Sequence, residues 1–353
     1  MLKRMMKSHI YTVAIGLCAM TLLSCNNGKK QLDGPVTDGE ELALAISQTE
    51  EGGVVNLAPG ATINLTGPVT VNKSLTIAGD ESSPAKIKLG KGGFVISKNF
   101  KLANAEIDAS DNKTAFILFA KEPVVDELNG TDYYGIEDVS LENLIIKDVK
   151  SNLIYDNNIK YCVVSLSIDN CLIALKTEDV RYESIITFEA GGVKDLTIQN
   201  TTMHGNMPDI EFFVRYNNGA RLDRYGFDTA VDYQSMTYEN NTFVDLLKPE
   251  GQWGNYNAFG GQNYSRFIVK GNIWKNCGQN IVRRLIGGRY GDRTVYEFAD
   301  NTYWGQEGEQ DESKFDTSGT QLKTDPAFKD APKNFQPTGA EQVAKHTGDP
   351  RWF

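Results

Sequence analysis

Seven asparagines, each preceded two or three residues earlier by an apolar side chain, divide the chain from residue 104 into units of similar length. The first four instances are Leu102-Ala103-Asn104, Leu141-Glu142-Asn143, Ile168-Asp169-Asn170 and Ile198-Gln199-Asn200. Tyr238…Asn241-Thr242-Phe243, Val269…Asn272-Ile273-Trp274 and Phe298…Asn301-Thr302-Tyr303 continue the series. The separations are 39, 27, 30, 41, 31 and 29 residues. The two long ones read as the same unit plus a loop of about ten residues. A unit this short cannot bury its own apolar face, but stacking each on the last builds a continuous core. Strands of successive units then pair in parallel about 4.8 Å apart. Asparagine suits the bend between strands because it tolerates left-handed backbone angles and its amide can bond to the one above. The expected role of the series is therefore structural, not catalytic.

The first coil is announced by Thr37-Asp38-Gly39-Glu40, which matches a capping box with Thr37 as N-cap. A helix over 38–48 follows, with Leu42, Ala45 and Ile46 on one face, and it is expected to cover the open edge of the first coil. Val54–Leu57, Ala61–Leu65, Val69–Val71 and Ser74–Ile77 then read as short strands bounded by Gly, Pro or Asn.

The opening Asp38-Gly39-Glu40-Glu41-Leu42…Gly52-Gly53-Val54-Val55-Asn56-Leu57-Ala58-Pro59-Gly60 resembles the first coil of the right-handed parallel β-helices related to pectate lyase. Asp325-Pro326-Ala327-Phe328-Lys329-Asp330…Asn334-Phe335-Gln336-Pro337 resembles the closing segment of many secreted β-helix proteins, and together with Gly348-Asp349-Pro350-Arg351-Trp352 and the Leu22-Leu23-Ser24-Cys25 box it resembles an uncharacterised Bacteroidetes lipoprotein family. The expected fold class is all-β: a right-handed single-stranded parallel β-helix with a short N-terminal capping helix. It should occupy 37–306, followed by a loop-rich tail over 307–353 packing on the helix. A length of 353 residues by itself suggests two domains, and the repeat replaces that with one solenoid.

Lys3, Arg4 and Lys7 precede an apolar stretch from Ile10 to Leu23, too short to span a bilayer and typical of an export signal. Leu22-Leu23-Ser24-Cys25 resembles the bacterial lipoprotein box, which implies a signal over 1–24, lipidation at Cys25 and a flexible tether over 25–36. The expected location is the outer membrane, facing the periplasm or the cell surface, with membrane contact through the lipid alone and the chain monomeric. Formal net charge is -10, and it becomes -13 once the three basic signal residues are removed. That disfavours a nucleic-acid partner. His9, His204 and His346 are too few for an imidazole metal site or much choice of general base. Beyond the signal, Cys162, Cys171 and Cys277 are odd in number and irregular in spacing, so buried free thiols are expected.

Eight of the 11 arginines lie within 215–293, and 14 of the 35 aromatic residues lie within 212–274. This zone overlaps the 41-residue interval, so an extended loop is expected there. Aromatic faces stack on sugars and guanidinium forks pair with carboxylate or sulfate. Arg221, Tyr225, Trp253, Tyr256, Arg283 and Arg284 are accordingly candidate contacts for an anionic polysaccharide. The competing expectation is that the rings pack the loop onto the helix while arginines pair with local acids such as Asp223 and Asp232.

Asp209 and Glu211 share one face of any strand, with Arg215 on the same side. The pair is the candidate site for a Ca²⁺ ion, with Arg215 or Arg224 as base. This arrangement resembles the chondroitinase-B-like lyases, in which an acidic pair precedes a catalytic Lys, and here no Lys stands in that place. That lyase reading is the one that calls for a cofactor. The chain lacks the Asn-Thr-Asp, Gly-His-Gly and Arg-Ile-Lys of polygalacturonase-type hydrolases and the Trp-Ile-Asp-His of pectate lyases. His204-Gly205-Asn206 reads as a structural turn, and Gln306–Lys314 as a solvated loop. Three readings stay open: a polysaccharide-binding lipoprotein, a lyase cleaving uronate glycans by β-elimination, and a structural or adhesion protein.

Overall fold

The computed structural model describes residues 34–176, 184–206, 210–217, 221–247, 264–278, 282, 291–305 and 311–353. Across them the chain forms a parallel β-helix whose coils contribute strands to three faces. Coil 1 is made by Gly53–Asn56, Thr62–Asn64 and Val69–Val71, one strand per face. Coil 2 is Leu75–Ala78, Ala85–Lys88 and Phe94–Ile96. In coils 3 and 4 the first two faces belong to single long strands, Phe100–Asp108 and Tyr134–Val149, bent at the left-handed residues Asn104 and Asn143. Ile117–Phe119 and Ile154–Tyr155 complete them on the third face. Coil 5 is Tyr161–Asp169, Leu172–Lys176 and Ser184–Phe188, and coil 6 is Gly192–Gln199, Thr202–Asn206 and Phe212–Tyr216. Coils 7 to 9 add Gln234–Glu239 with Thr242–Val244, Ser265–Lys270 with Ile273–Lys275, and Val295–Ala299 with Thr302–Trp304. All these strands pair in parallel.

In-register pairing makes the core a set of stacks. On the second face Ile63, Ile87, Ile107, Ile146 and Ile173 lie one above another and are followed by Met203, Phe243, Trp274 and Tyr303. All nine are buried. The axis thus changes from aliphatic to aromatic as it ascends, and Phe213, Tyr238, Phe243 and Trp274 meet there with ring centroids 4.4–6.2 Å apart. Fully burying each such side chain contributes about 1.5–3 kcal/mol.

The bend between the first and second faces corrects one sequence expectation. Left-handed angles occur at Asn104, Asn143, Asn170 and Asn200 as expected, but then at Asn240, Gly271 and Asp300. Asn241, Asn272 and Asn301 stand one position later, fully buried. There are therefore two asparagine ladders. In the half-exposed one, Asn143 donates to Asn104 Oδ1 at 2.8 Å and Asn170 to Asn143 Oδ1 at 3.2 Å. In the buried one, Asn241 donates to Asn272 Oδ1 and Asn272 to Asn301 Oδ1, both at 2.9 Å, and Asn301 ends the run on Asp316 at 3.0 Å. Each buried amide also bonds a backbone carbonyl, at Ile198, Tyr238 and Val269.

The capping helix spans Gly39–Gln48 and buries Leu42, Ala45 and Ile46 as expected. Its N-cap is Asp38 rather than Thr37: the Glu41 backbone N–H donates to Asp38 Oδ1 at 2.9 Å. Glu41 reaches back to accept from the Thr37 N–H and hydroxyl at 2.9 and 2.7 Å. The box is thus shifted one residue along the chain.

After coil 9, Leu322 bridges Thr302 in parallel, and an antiparallel hairpin of Phe328–Asp330 and Asn334–Pro337 leads to the helix Ala340–Lys345. The segment expected to be a solvated loop is partly core: Glu312 is 1% exposed and accepts the Val282 N–H at 2.8 Å. Cys162, Cys171 and Cys277 are buried free thiols whose pKa values burial pushes up. The export segment and Cys25 lie outside the described residues.

Candidate functional site

The two long asparagine intervals are loops at the same corner, where the third face gives way to the first. One joins Ile117–Phe119 to Tyr134–Val149, and the other joins Phe212–Tyr216 to Gln234–Glu239. They meet although far apart in sequence. Asn129 donates to the Tyr225 carbonyl at 3.0 Å, and the Tyr133 and Tyr225 rings pack edge-on at 4.8 Å. Tyr225 is 1% exposed, so it is a strut between loops and offers no face to a sugar. Arg221 holds Asp223 with two bonds, Nε to Oδ1 at 3.0 Å and Nη2 to Oδ2 at 2.7 Å, and Tyr264 donates to the same carboxylate at 3.2 Å. Both residues thus follow the competing expectation of loop packing and local pairing. The Arg221 guanidinium holds the Asp223 carboxyl below its usual range.

The aromatic excess of 212–274 is also mostly interior. Phe213, Tyr216, Tyr225, Tyr238, Phe243, Tyr264, Phe267 and Trp274 are buried. Phe212, Phe227 and Tyr233 are half-buried, and each has a cation over its ring. Arg215 lies 5.4 Å from the Phe212 centroid and Lys194 5.6 Å from Phe227. Tyr233 is approached by two guanidinium groups, Arg266 at 4.8 Å and Arg293 at 4.9 Å. Lys160 sits similarly 5.6 Å from Tyr133. At the entrance to the first face, Lys160, Lys194, Arg266 and Arg293 thus mark coils 5, 6, 8 and 9. The rings are pedestals for cations rather than free platforms.

Lys160 pairs with Asp132, Lys194 with Asp195 at 2.7 Å, and Arg293 donates to the Thr229 carbonyl. Arg266 Nε is buried without a hydrogen-bond partner among the described residues. Beside this edge the outer first face carries Asp138, Ser165, Asp195, Ser235 and Arg266 in one register, and Ser140, Ser167, Thr197 and Thr237 in the next. Burial pushes the Asp138 carboxyl up, against the hydrogen bond from Ser165.

Three of the four candidate lyase residues lie among the described ones. Arg215 stands on the third face in register with Thr187 and donates to Asn217 Oδ1 at 3.1 Å. Arg224 belongs to the second loop, near Lys160, whose pKa it lowers against the larger upward pull of Asp132. Glu211 immediately precedes Phe212–Tyr216 and is half-buried. Asp209, Trp253, Tyr256, Arg283 and Arg284 lie outside the described residues. Among the described residues no three His, Cys, Asp or Glu side chains gather as a metal site. His204 is not at a turn: it faces outward from Thr202–Asn206 under the Phe335 ring at 4.9 Å, and burial lowers its pKa.

Residues 61–206 match the family model described as Domain of unknown function (DUF4957). That stretch begins at the second-face strand of coil 1 and ends with the second-face strand of coil 6. It covers the first loop, Lys160 and Lys194, but stops before the second loop, Arg266 and Arg293. No curated protein and no solved structure matches the chain.

Proposed function

We propose that this is an exported, lipid-anchored β-helix protein, related to the pectate-lyase-like superfamily, that binds an anionic polysaccharide at the outer membrane. The observation that carries the reading is the edge on which Lys160, Lys194, Arg266 and Arg293 stand over aromatic rings in an otherwise acidic protein. In strand register Lys194, Arg266 and Arg293 fall within two positions of one another on coils 6, 8 and 9, whereas Lys160 stands farther upstream, so with coils repeating every ~4.8 Å these three can meet successive charges of an extended polyanion. Lys160 and Asp132 are both solvent-exposed, so a ligand carboxylate or sulfate can replace the protein carboxylate there at little cost.

The test is affinity electrophoresis on pectin, alginate and glycosaminoglycans, with absorbance of unsaturated product followed in parallel. Retardation that falls with added salt, without new absorbance, and that is lost in Arg266→Ala/Arg293→Ala is expected. Accumulation of unsaturated product would establish the lyase instead. Unchanged mobility on every polymer would leave the structural or adhesion reading.

A further inference from the structure

Residues beyond the helix Ala340–Lys345 run back along the outside of the second face, against the direction in which the coils ascend. Gln342 approaches Thr302 of coil 9 at 3.4 Å, and the Gly348 N–H donates to Gly271 of coil 8 at 2.7 Å. The Asp349 N–H donates to Thr242 Oγ1 of coil 7 at 3.0 Å, and Thr202 Oγ1 of coil 6 donates to Asp349 Oδ2 at 2.7 Å. Trp352 Nε1 donates to that same Thr202 oxygen at 2.8 Å. Arg351 Nη2 reaches coil 5, donating to the Asn170 carbonyl at 2.6 Å and to its Oδ1 at 2.9 Å. The Asn104–Asn143–Asn170 ladder thus ends under Arg351.

The contacts are specific to the side chains present. Gly348 has φ +103, and a Cβ there would lie 2.8 Å from both Ile273 Cδ1 and Thr242 Oγ1. Asp349 is fully buried and also accepts the Arg351 N–H at 2.9 Å, which folds Pro350–Trp352 into a single 3₁₀ turn. The Trp352 ring packs on Phe335 at 5.7 Å. The groove supplies Thr202 and Thr242, in mutual register, as its polar floor.

We infer that residues 347–353 are a separable clasp, a peptide that the second face recognises by sequence and that locks coils 5 to 8, so that the same segment of a second copy of this chain can occupy the groove when the first is displaced. Coils 1 to 4 lie outside its reach and serve as an internal control.

The test is hydrogen exchange on the full-length Gly348→Val chain, whose added side chain lifts the clasp without removing any of its polar groups. Exchange about ten-fold faster is expected in Thr202–Asn206, Thr242–Val244 and Ile273–Lys275, with Thr62–Asn64 and Ala85–Lys88 unchanged. A synthetic peptide of residues 345–353 in excess should restore protection, and a scrambled one should not. Trp352→Ala gives the same readout if Gly348→Val fails to accumulate as folded protein. Unchanged exchange, an equal rise in all coils, or no rescue by the peptide would overturn the inference.

Discussion

The Asn272 side-chain amide donates to Asn301 Oδ1 at 2.9 Å in a site closed to solvent. The Asn272 oxygen in turn accepts both the Asn241 amide at 2.9 Å and the Asn241 backbone N–H at 3.1 Å. Each residue is donor to one neighbour and acceptor for the other, so removing one leaves polar groups stranded on both sides. A buried group left unpaired costs about 1–3 kcal/mol. Asn272→Ala should therefore destabilise by about 3–5 kcal/mol in denaturant unfolding. A loss under about 1 kcal/mol would show that the ladder is not a stabilising unit.

The outer ladder makes a different demand. Asn143 has φ 51 and is half-buried, so its backbone conformation is the main constraint. Left-handed angles cost a side-chain-bearing residue roughly 1–2 kcal/mol, and a β-branched residue more, whereas glycine adopts them freely. Asn143→Gly should stay within about 1 kcal/mol of the parent and Asn143→Val should fall about 2–3 kcal/mol below it. The order of the two midpoints is the check, and equal midpoints would refute it.

At the start of the capping helix, Asp38→Ala should lower stability by about 1 kcal/mol through loss of the N-cap bond to Glu41. Thr37→Ala should cost less, because the Thr37 backbone N–H still reaches Glu41 Oε2. The same ranking should appear as faster exchange in Gly39–Gln48. A larger effect at Thr37 would restore it as the cap.

Burial pushes the Asp349 carboxyl up from 3.8 to about 6, while Arg351 opposes the rise and Asp169 adds to it. The folded form therefore holds the proton more tightly than the unfolded form. This contribution is complete below about pH 3.8 and is lost as pH rises through about 6. His204, whose pKa burial lowers, acts with the opposite sign: its contribution is present above about 6.5 and lost on acidification. Wild type minus Asp349→Asn isolates the carboxyl. That difference in unfolding free energy should fall between pH 4 and pH 7, and a difference independent of pH would refute the prediction.

The fold was readable because its cause is local and repeated. Apolar runs broken every turn by an asparagine leave few alternatives to stacked coils, and the excess length of two intervals correctly marked two loops. Asn200-Thr201 and Asn240-Asn241 look alike in sequence, yet in the first the buried place is held by Thr201 and in the second by Asn241. Spacing alone does not distinguish a left-handed residue from its buried successor, and the series therefore slipped by one register. The aromatic cluster misled for a related reason: composition along a line does not say whether a ring faces the axis or the solvent. Parity within each strand carries that information, as Phe213, Tyr238, Phe243 and Trp274 show by facing one another in the core. The meeting of Asn129 with Tyr225 and of Asn170 with Arg351 depends on chain closure and leaves no local mark in sequence.

Asn170 and the Arg351 that seals it are 181 residues apart. Whether the chain emerges from the ribosome or from an export channel, Asn170 appears before Arg351. Coils 1 to 4 can settle during that interval, since none of their hydrogen bonds among the described residues comes from residues 347–353. Coils 5 to 8 must wait, with Thr202 and Thr242 facing water until the tail arrives. Position along this solenoid is therefore also a schedule, and any delay in the arrival of residues 347–353 prolongs the period in which its upper half is open.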